Sequence, residues 1–215
     1  RIYKMKEIPV YLITGYLDSG KSTFVQQTLA DPGFCEDSNI LVISFEEGEI
    51  ELEPTEFASE NVFLEVLDAD CEYSALTFAD MVNRTNADKI IIEYNGMHLL
   101  EELYATFPRN WVIAQQVLFF DSTTFTVNNN MRNLTVDKMR DTDLIVFNRA
   151  TDDSDFNLFH KVVRATNRQA MILYEKATGE IMRDEIEDPL PYDIDAPVIE
   201  IEDKDFYLNG RSCVW

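Results

Sequence analysis

Short runs of consecutive apolar residues recur along the whole chain. They contain Val, Ile, Leu and Phe without alternation with polar residues, which is the pattern of β-strands buried on both faces of a sheet. Parallel sheets that carry helices on both sides contain strands of this kind. The runs predict seven strands, at Val10–Thr14, Ile40–Ser44, Val62–Val66, Ile90–Glu93, Val117–Phe120, Leu144–Phe147 and Met171–Tyr174.

Segments with helical patterns separate these strands. The predicted helices are Lys21–Ala30, Ala75–Asn83, Leu99–Phe107, Val136–Arg140 and Phe156–Ala165. The alternation of strands and helices predicts an α/β fold, with a mostly parallel sheet of about seven strands and helices on both of its faces.

Two stretches do not fit this alternation. Glu46–Glu60 is crowded with glutamates, and because dense like charges oppose packing, we expect a mobile, solvated loop there. The tail from Asp184 to Trp215 combines prolines and acidic residues with one strand-like stretch, Val198–Ile201. We therefore predict one compact domain over residues 1–183 and an acidic, Pro-containing tail or linker over 184–215. The tail also fits the truncated start of a further domain, because the chain begins without Met and stops abruptly.

The formal net charge of −22 narrows the range of partners. It argues against nucleic acid, whose phosphates require clustered Lys and Arg, and against anionic membrane surfaces. A well-solvated surface accounts for this acidity, and the alternative is a surface for cations or for a basic partner. No apolar run is long enough for a membrane span or a secretory signal, so we expect a cytoplasmic protein. The three cysteines, Cys35, Cys71 and Cys213, form no CxxC pair, which indicates reduced thiols.

The segment Gly-Tyr-Leu-Asp-Ser-Gly-Lys-Ser, from Gly15 to Ser22, matches the phosphate-binding loop G-x-x-x-x-G-K-[ST] without a mismatch. This segment, hereafter the P-loop, lies between a predicted strand and a predicted helix, as such a loop requires. Its backbone N–H groups and the helix N-terminus would cradle phosphates, and Lys21 would place a positive charge between the β- and γ-phosphates. The alternative is a strand–helix turn that binds nothing. The residues expected to contact the nucleotide or its Mg²⁺ are Gly15, Asp18, Ser19, Gly20, Lys21, Ser22 and Thr23.

Three further motifs follow the P-loop. Ile43–Glu49 is a strand followed by a Glu-x-Gly-Glu segment, Lys89–Gly96 is an apolar strand that ends in Glu-x-x-Gly, and Asp143–Arg149 stands where a base-recognition loop Asn-Lys-x-Asp is expected. The whole set, from about Ile8 to Glu175, resembles the CobW-like family of P-loop GTPases, which includes CobW, HypB and UreG. The resemblance implies the P-loop NTPase architecture, GTP and Mg²⁺ as cofactors, and a metallochaperone role or a role in metallocofactor insertion.

The resemblance and the chemistry of the residues suggest roles for these motifs. Glu93 ends a predicted strand at the carboxyl edge of the sheet, where ligands of open α/β sheets bind. With Ser22 it would hold Mg²⁺, directly or through water, and it would orient the attacking water; the alternative is a carboxylate that caps the following helix. Gly96 would present its N–H to the γ-phosphate, and Glu46 is a second candidate for orienting water or one solvated acid among many. The predicted catalytic residues are Lys21, Glu46 and Glu93, and the predicted base contacts are Asn148 and Arg149.

The chain departs from the family pattern in the base-recognition loop. Thr151 stands where the family would place the carboxylate that accepts two hydrogen bonds from guanine. The loss of charge-assisted bonds of about 1.5–3 kcal/mol each would weaken guanine selectivity, unless a shifted loop brings Asp152 into place. Arg149 replaces the usual Lys, and its stem would still cover the face of a base. GTP is therefore favoured by the resemblance, with another nucleoside triphosphate as the alternative.

The family's Cys-x-Cys-Cys metal motif is also absent, and the corresponding region contains Cys71 alone. One thiolate makes no tight tetrahedral site by itself, so Cys71 and its acidic neighbours are a weak candidate for zinc or another transition metal. The alternative is a single buried or free thiol. His98 follows Gly96 closely and is expected near the nucleotide or on the surface, whereas His160 is expected to face solvent.

Three functions are consistent with the sequence. The first is a slow, Mg²⁺-dependent GTPase that acts as a switch in metal homeostasis. It would serve a metalloprotein client and form a homodimer, as many relatives do. The second is a nucleotide-binding regulatory or scaffold subunit with little hydrolysis, which the altered base loop and the missing cysteines favour. The third is an ATPase or a kinase-like phosphotransferase. Slow turnover is expected in the first case because no arginine finger can be identified.

Overall fold

The protein is described here by a computed structural model. The structure describes residues 6–45, 52–68, 73–128, 132–187, 200–201 and 204–207. The chain divides into two compact units, Arg1–Asp184 and Glu185–Trp215, and each is described by itself.

An eight-stranded sheet forms the centre of the first unit. Its strands follow one another across the sheet in the order β3-β2-β4-β1-β5-β6-β7-β8, and all neighbours are parallel except β8, which runs antiparallel to β7. The seven predicted strands are confirmed, and β8 was not predicted. The strands are β1 (Ile8–Gly15), β2 (Ile40–Ser44), β3 (Val62–Val66), β4 (Lys89–Asn95), β5 (Trp111–Asp121), β6 (Leu144–Ala150), β7 (Met171–Lys176) and β8 (Ile181–Arg183).

The five predicted helices are also present, with shifted ends in four of them. Two helices were missed because each has only four residues, too few to show helical periodicity. The helices are α1 (Lys21–Ala30), α2 (Pro32–Cys35), α3 (Ala75–Thr85), α4 (Leu100–Tyr104), α5 (Phe125–Asn128), α6 (Arg132–Arg140) and α7 (Phe156–Arg164).

Apolar side chains on both faces of the sheet form the core. On one face, Val10 and Leu12 of β1 pack with side chains of α3 and α4. On the other face, Ile13 of the same strand packs with Val25 and Leu29 of α1. The alternation along β1 therefore places helices on both sides of the sheet, as predicted, and its carboxyl end leads directly into the P-loop.

The acidic segment departs from its prediction. A wholly solvated loop over Glu46–Glu60 is wrong for residues 52–60, which lie against α1. The Glu53 N–H donates to Gln26 Oε1 at 2.9 Å and Gln26 Nε2 donates to the Glu53 carbonyl at 3.2 Å, while Leu52 and Phe57 pack into the cluster around α1. Two apolar side chains and these hydrogen bonds outweigh the local repulsion between glutamates.

The second unit contains a short antiparallel pair, β9 (Glu200–Ile201) and β10 (Lys204–Tyr207). The strand-like stretch predicted at Val198–Ile201 overlaps β9. The interpretation of residues 184–215 as a tail or linker stays a prediction. Among the described residues, no helix has the length and apolar character needed to cross a membrane.

Candidate nucleotide-binding site

The P-loop connects β1, at the centre of the sheet, to α1. Gly20 lies at the N-cap of α1 in the left-handed conformation, with φ +104°. This backbone conformation is strained for a residue with a side chain, and a Cβ on Gly20 would lie 2.4 Å from Asn148 Nδ2, which would have to shift. A Cβ on Gly15 would lie 2.5 Å from the Phe119 carbonyl oxygen. The motif glycines therefore let the loop lie directly against β5 and β6.

The P-loop side chains differ in their surroundings. Lys21 is almost fully buried, and its ammonium donates to the Tyr16 carbonyl at 2.7 Å, so it lies over its own loop. Ser19 is fully buried, and its hydroxyl has no hydrogen-bond partner among the described residues. A buried polar group of this kind indicates a place for a polar ligand. Asp18 and Thr23 are exposed.

Glu93 lies at the carboxyl end of β4 and is 1% exposed. Its two carboxylate oxygens accept hydrogen bonds from Ser22 Oγ at 2.5 Å and from Ser44 Oγ at 3.0 Å. The sheet register pairs Ser44 with Glu93, and the first turn of α1 brings Ser22 to the same point. No ion pair to Glu93 is present within the part of the chain that the structure describes.

This arrangement fits Mg²⁺. A buried carboxylate without a positive partner is costly, and carboxylate and hydroxyl oxygens are the ligands that Mg²⁺ prefers. The alternative role for Glu93, as a helix cap, is wrong. The next helix begins at Leu100, and its first N–H donates to Asp137 Oδ2 at 2.9 Å.

Gly96 follows β4 in a turn that lies against the P-loop. A Cβ on Gly96 would lie 2.4 Å from the Gly15 carbonyl oxygen and 2.8 Å from Tyr16 Cα. The structure therefore brings the Glu-x-x-Gly motif close to the P-loop, and the contact of Gly96 with the γ-phosphate stays a prediction. Glu46 lies outside the described residues.

The predicted base-recognition residues also reach the P-loop. Asn148 Nδ2 donates to the Ser19 carbonyl at 3.3 Å, and Arg149 Nη1 donates to the Asp18 carbonyl at 2.7 Å and to Asp121 Oδ2. The sequence analysis did not identify Asp121, although this residue directly follows the predicted strand Val117–Phe120. Burial opposes ionisation of Asp121, but hydrogen bonds from Thr123 and the contact with Arg149 lower the pKa of this carboxyl below its ordinary value.

Thr151 stands where the family would place a carboxylate that binds guanine. Thr151 and its neighbour Asp152 both have partners within the protein. The Thr151 N–H donates to Ser154 Oγ at 2.9 Å. Asp152 is exposed and forms an ion pair with Lys176 at 2.9 Å, at the end of β7. Hydrogen bonds to Asp152 and Glu180 raise the pKa of Lys176. Asp152 would have to leave Lys176 before it could bind a base in place of Thr151.

The metal candidates and the histidines give a mixed result. Cys71 lies outside the described residues, and the described ones contain no group of three or more His, Cys, Asp or Glu suited to a metal ion. Cys35 is buried, and burial raises the pKa of its thiol, which opposes metal binding.

The His98 ring is half exposed. The prediction that His160 faces solvent is wrong: it is buried, and its Nδ1 lies 2.6 Å from Asp184 Oδ2.

A phosphate loop after the central strand of a parallel sheet, with a buried carboxylate at the end of the neighbouring strand, is the arrangement of a P-loop nucleotide-binding protein. A model of the CobW/HypB/UreG nucleotide-binding domain matches residues 9–174. The chain therefore belongs to the CobW/HypB/UreG family.

Solved structures share the fold at low sequence identity. The Zn(II)-bound YjiA GTPase from E. coli is 18% identical, with a TM-score of 0.59, over 87% of this chain and 62% of the YjiA chain. The hydrogenase maturation factor HypB from Archaeoglobus fulgidus is 16% identical, with a TM-score of 0.54, over 80% of this chain and 82% of that protein. This chain thus spans less than two thirds of YjiA. Comparison with curated proteins gave no match.

Proposed function

We propose that this protein binds a nucleoside triphosphate with Mg²⁺, prefers GTP, hydrolyses it slowly, and acts as a switch in metal homeostasis or metallocofactor insertion. The observation that carries the proposal is Glu93, a buried carboxylate held by the hydroxyls of Ser22 and Ser44 beside the P-loop. Buried carboxylates are normally paired with a cation, and a P-loop supplies the phosphates that such a cation would also bind.

Each residue of the site then has a defined role. The P-loop N–H groups and Lys21 bind the phosphates, and Lys21 would leave the Tyr16 carbonyl to do so. Ser22 and Glu93 would hold Mg²⁺, which when bound neutralises charge on the β- and γ-phosphate oxygens. Glu93 would also orient the attacking water. The second water-orienting candidate, Glu46, stays a prediction.

Slow hydrolysis is expected because the arginine in contact with the P-loop already has partners. Arg149 is held by Asp121 and by the Asp18 carbonyl. A positive charge that stabilises the transition state would therefore come from a partner protein, if turnover is to be fast. A metalloprotein client and a homodimer belong to this proposal, as does binding of zinc or another transition metal near Cys71.

The experiment is calorimetric titration with non-hydrolysable GTP and ATP analogues, with Mg²⁺ or with EDTA. Lys21→Ala should abolish binding, and Glu93→Gln should remove most of the Mg²⁺ dependence. Asp143→Asn is a matched control, because this carboxylate also accepts a hydrogen bond from the sheet, from the Gln116 N–H at 2.8 Å, but lies before β6 at the opposite edge. Binding of neither nucleotide, or an unchanged Mg²⁺ dependence in Glu93→Gln, would refute the proposal.

A regulatory subunit that binds nucleotide without useful hydrolysis is the second candidate. The observation that favours it is that the residues of the base-recognition loop already have partners within the protein. Asp152 forms an ion pair with Lys176, and the Thr151 N–H donates to Ser154. Single-turnover hydrolysis separates the two functions: cleavage by the wild type that Glu93→Gln abolishes supports the GTPase, whereas tight binding with no cleavage supports the regulatory subunit. Equal affinity for ATP, or a preference for it, would instead indicate that guanine recognition has been lost.

A further inference from the structure

Two side chains of helix α6 form hydrogen bonds with the backbone that directly follows Gly96. Helix α4, which follows the loop that carries Gly96, has Leu99 at its N-cap and no side-chain cap of its own. The Leu100 N–H donates instead to Asp137 Oδ2 at 2.9 Å, and the next residue of α6, Lys138, donates from Nζ to the His98 carbonyl at 2.7 Å. Two consecutive residues of α6 therefore bind the backbone on either side of Leu99, one as acceptor and one as donor.

Burying the charged ammonium of Lys138 costs more free energy than a purely structural hydrogen bond would return. Its side chain is fully buried, and the His98 carbonyl is its hydrogen-bond acceptor among the described residues, although an ammonium has three N–H donors. Burial lowers the pKa of Lys138 to about 8; Asp137 and Glu102 oppose this effect, and Lys21 of the P-loop adds to it. The ammonium thus lies within electrostatic range of the phosphate-binding lysine.

The same face of α6 also contacts the P-loop itself. Thr135, three residues before Lys138, shares a hydrogen bond of 2.7 Å with the hydroxyl of Tyr16. Residues three apart lie on one face of a helix. Helix α6 therefore connects the two segments, the P-loop and the Gly96 loop, between which a terminal phosphate would bind.

We propose that Asp137 and Lys138 are positioning residues that fix the Gly96 loop, so that its N–H groups are directed towards the terminal phosphate of a bound nucleoside triphosphate. This inference rests on the proposed function and deepens it. A loop fixed in advance binds the terminal phosphate without an ordering cost, whereas a diphosphate makes no use of it. The two residues therefore set the preference for triphosphate over diphosphate.

The test is the ratio of affinities for a non-hydrolysable GTP analogue and for GDP, both with Mg²⁺, measured by calorimetry. Lys138→Met removes the donor and should reduce this ratio about tenfold, the equivalent of about 1.4 kcal/mol, with little change in GDP affinity. Lys138→Gln is also neutral but its amide can donate to the His98 carbonyl, so it should restore the ratio. Lys161→Met, at an exposed lysine of α7, is the matched control.

A second pair of variants addresses the other contact without the buried charge. Asp137→Ala should lower the ratio, and Asp137→Asn, which keeps an acceptor for the Leu100 N–H, should preserve it. Thermal unfolding establishes that each variant is folded; if Lys138→Met is not, the Asp137 pair decides. An unchanged ratio in folded Lys138→Met or in Asp137→Ala overturns the proposal, as does a wild type that binds both nucleotides equally. A wild type that binds neither refutes the proposed function as well.

Discussion

Replacing Lys138 by Met should change how the stability of the protein depends on pH. The folded protein lowers the pKa of this lysine from 10.5 to about 8 because the ammonium is buried. At about 1.36 kcal/mol per pKa unit, the charged lysine costs the fold at most about 3 kcal/mol. The cost is present in full well below pH 8, where the group carries its proton in both the folded and the unfolded states.

The sign of the pH dependence follows from proton binding. Between pH 8 and 10.5 the unfolded chain holds more protons on this lysine than the folded protein, so stability rises with pH in this window. From pH 7 to pH 9.5 the wild type should gain about 2 kcal/mol relative to Lys138→Met. Taking the difference between two proteins removes the contributions of the other titrating groups, except where they interact with Lys138 itself, as Asp137, Glu102 and Lys21 do.

The assay is urea unfolding at several pH values from 7 to 9.5, with the free energy of unfolding extrapolated to water for each protein. Lys161→Met serves as the control, since it removes an exposed lysine of a different helix. A wild-type minus Lys138→Met difference that stays constant within about 0.5 kcal/mol across this range would refute the account of Lys138 as a buried ammonium.

Two further substitutions test the buried groups and the close approach of the loops. Asp184→Asn should destabilise the protein by about 3–5 kcal/mol in urea unfolding, because it breaks a buried pair with His160 and weakens a hydrogen bond from Tyr174 at 3.0 Å; a loss below about 1 kcal/mol would contradict this. Gly96→Ala would place a Cβ 2.4 Å from a backbone oxygen of the P-loop and should lower nucleotide affinity at least tenfold in calorimetry, whereas Gly33→Ala, whose Cβ comes no closer than 3.3 Å to an Asp31 side chain, should not.

The sequence predicted the sheet well because its strands contain runs of consecutive apolar residues, which in the central strands are largely buried. In strand β2, for example, every residue from Ile40 to Ser44 is buried. Its apolar run can be recognised from the sequence without knowing which strands lie beside it. The errors lie where the apolar run is interrupted or too short, whereas β3, in which no residue is buried, was predicted with its correct bounds. Strand β5 begins at Trp111, six residues before the predicted Val117, and the earlier part contains exposed residues such as Gln115. Strand β8 has three residues, too few for any pattern.

The candidate site was predictable where the chemistry is contiguous in sequence. The P-loop and the Glu-x-x-Gly segment are local patterns, so Lys21 and Glu93 could be named in advance. Ser44, Asp121 and Lys138 could not, because their roles depend on which strands and helices are neighbours. Each is brought to the site by strand order or helix packing across a large separation in sequence.

His160 shows an error that the pattern itself could have prevented. Phe156, Phe159, His160 and Val163 have the spacing of one face of a helix, and α7 packs this face against the sheet. A polar residue on an apolar face needs a partner from elsewhere. That partner is Asp184, which follows β8 and was assigned to the tail.

The buried charged residues at the candidate site differ from a buried charged residue elsewhere in the kind of partner that they have. Asp184 is buried, but it faces His160 and lies 4.0 Å from Arg164, so its charge is compensated within the fold. Glu93 and Lys138 are equally buried, yet their hydrogen-bond partners among the described residues are hydroxyls and a carbonyl. Neutral partners leave most of the desolvation cost of a charge uncompensated. The carboxylate accepts a hydrogen bond from the Ser22 hydroxyl, and the ammonium lies within electrostatic range of Lys21. A cation bound beside Glu93 would compensate the carboxylate, and the Mg²⁺ of the proposed nucleotide complex would be such a cation.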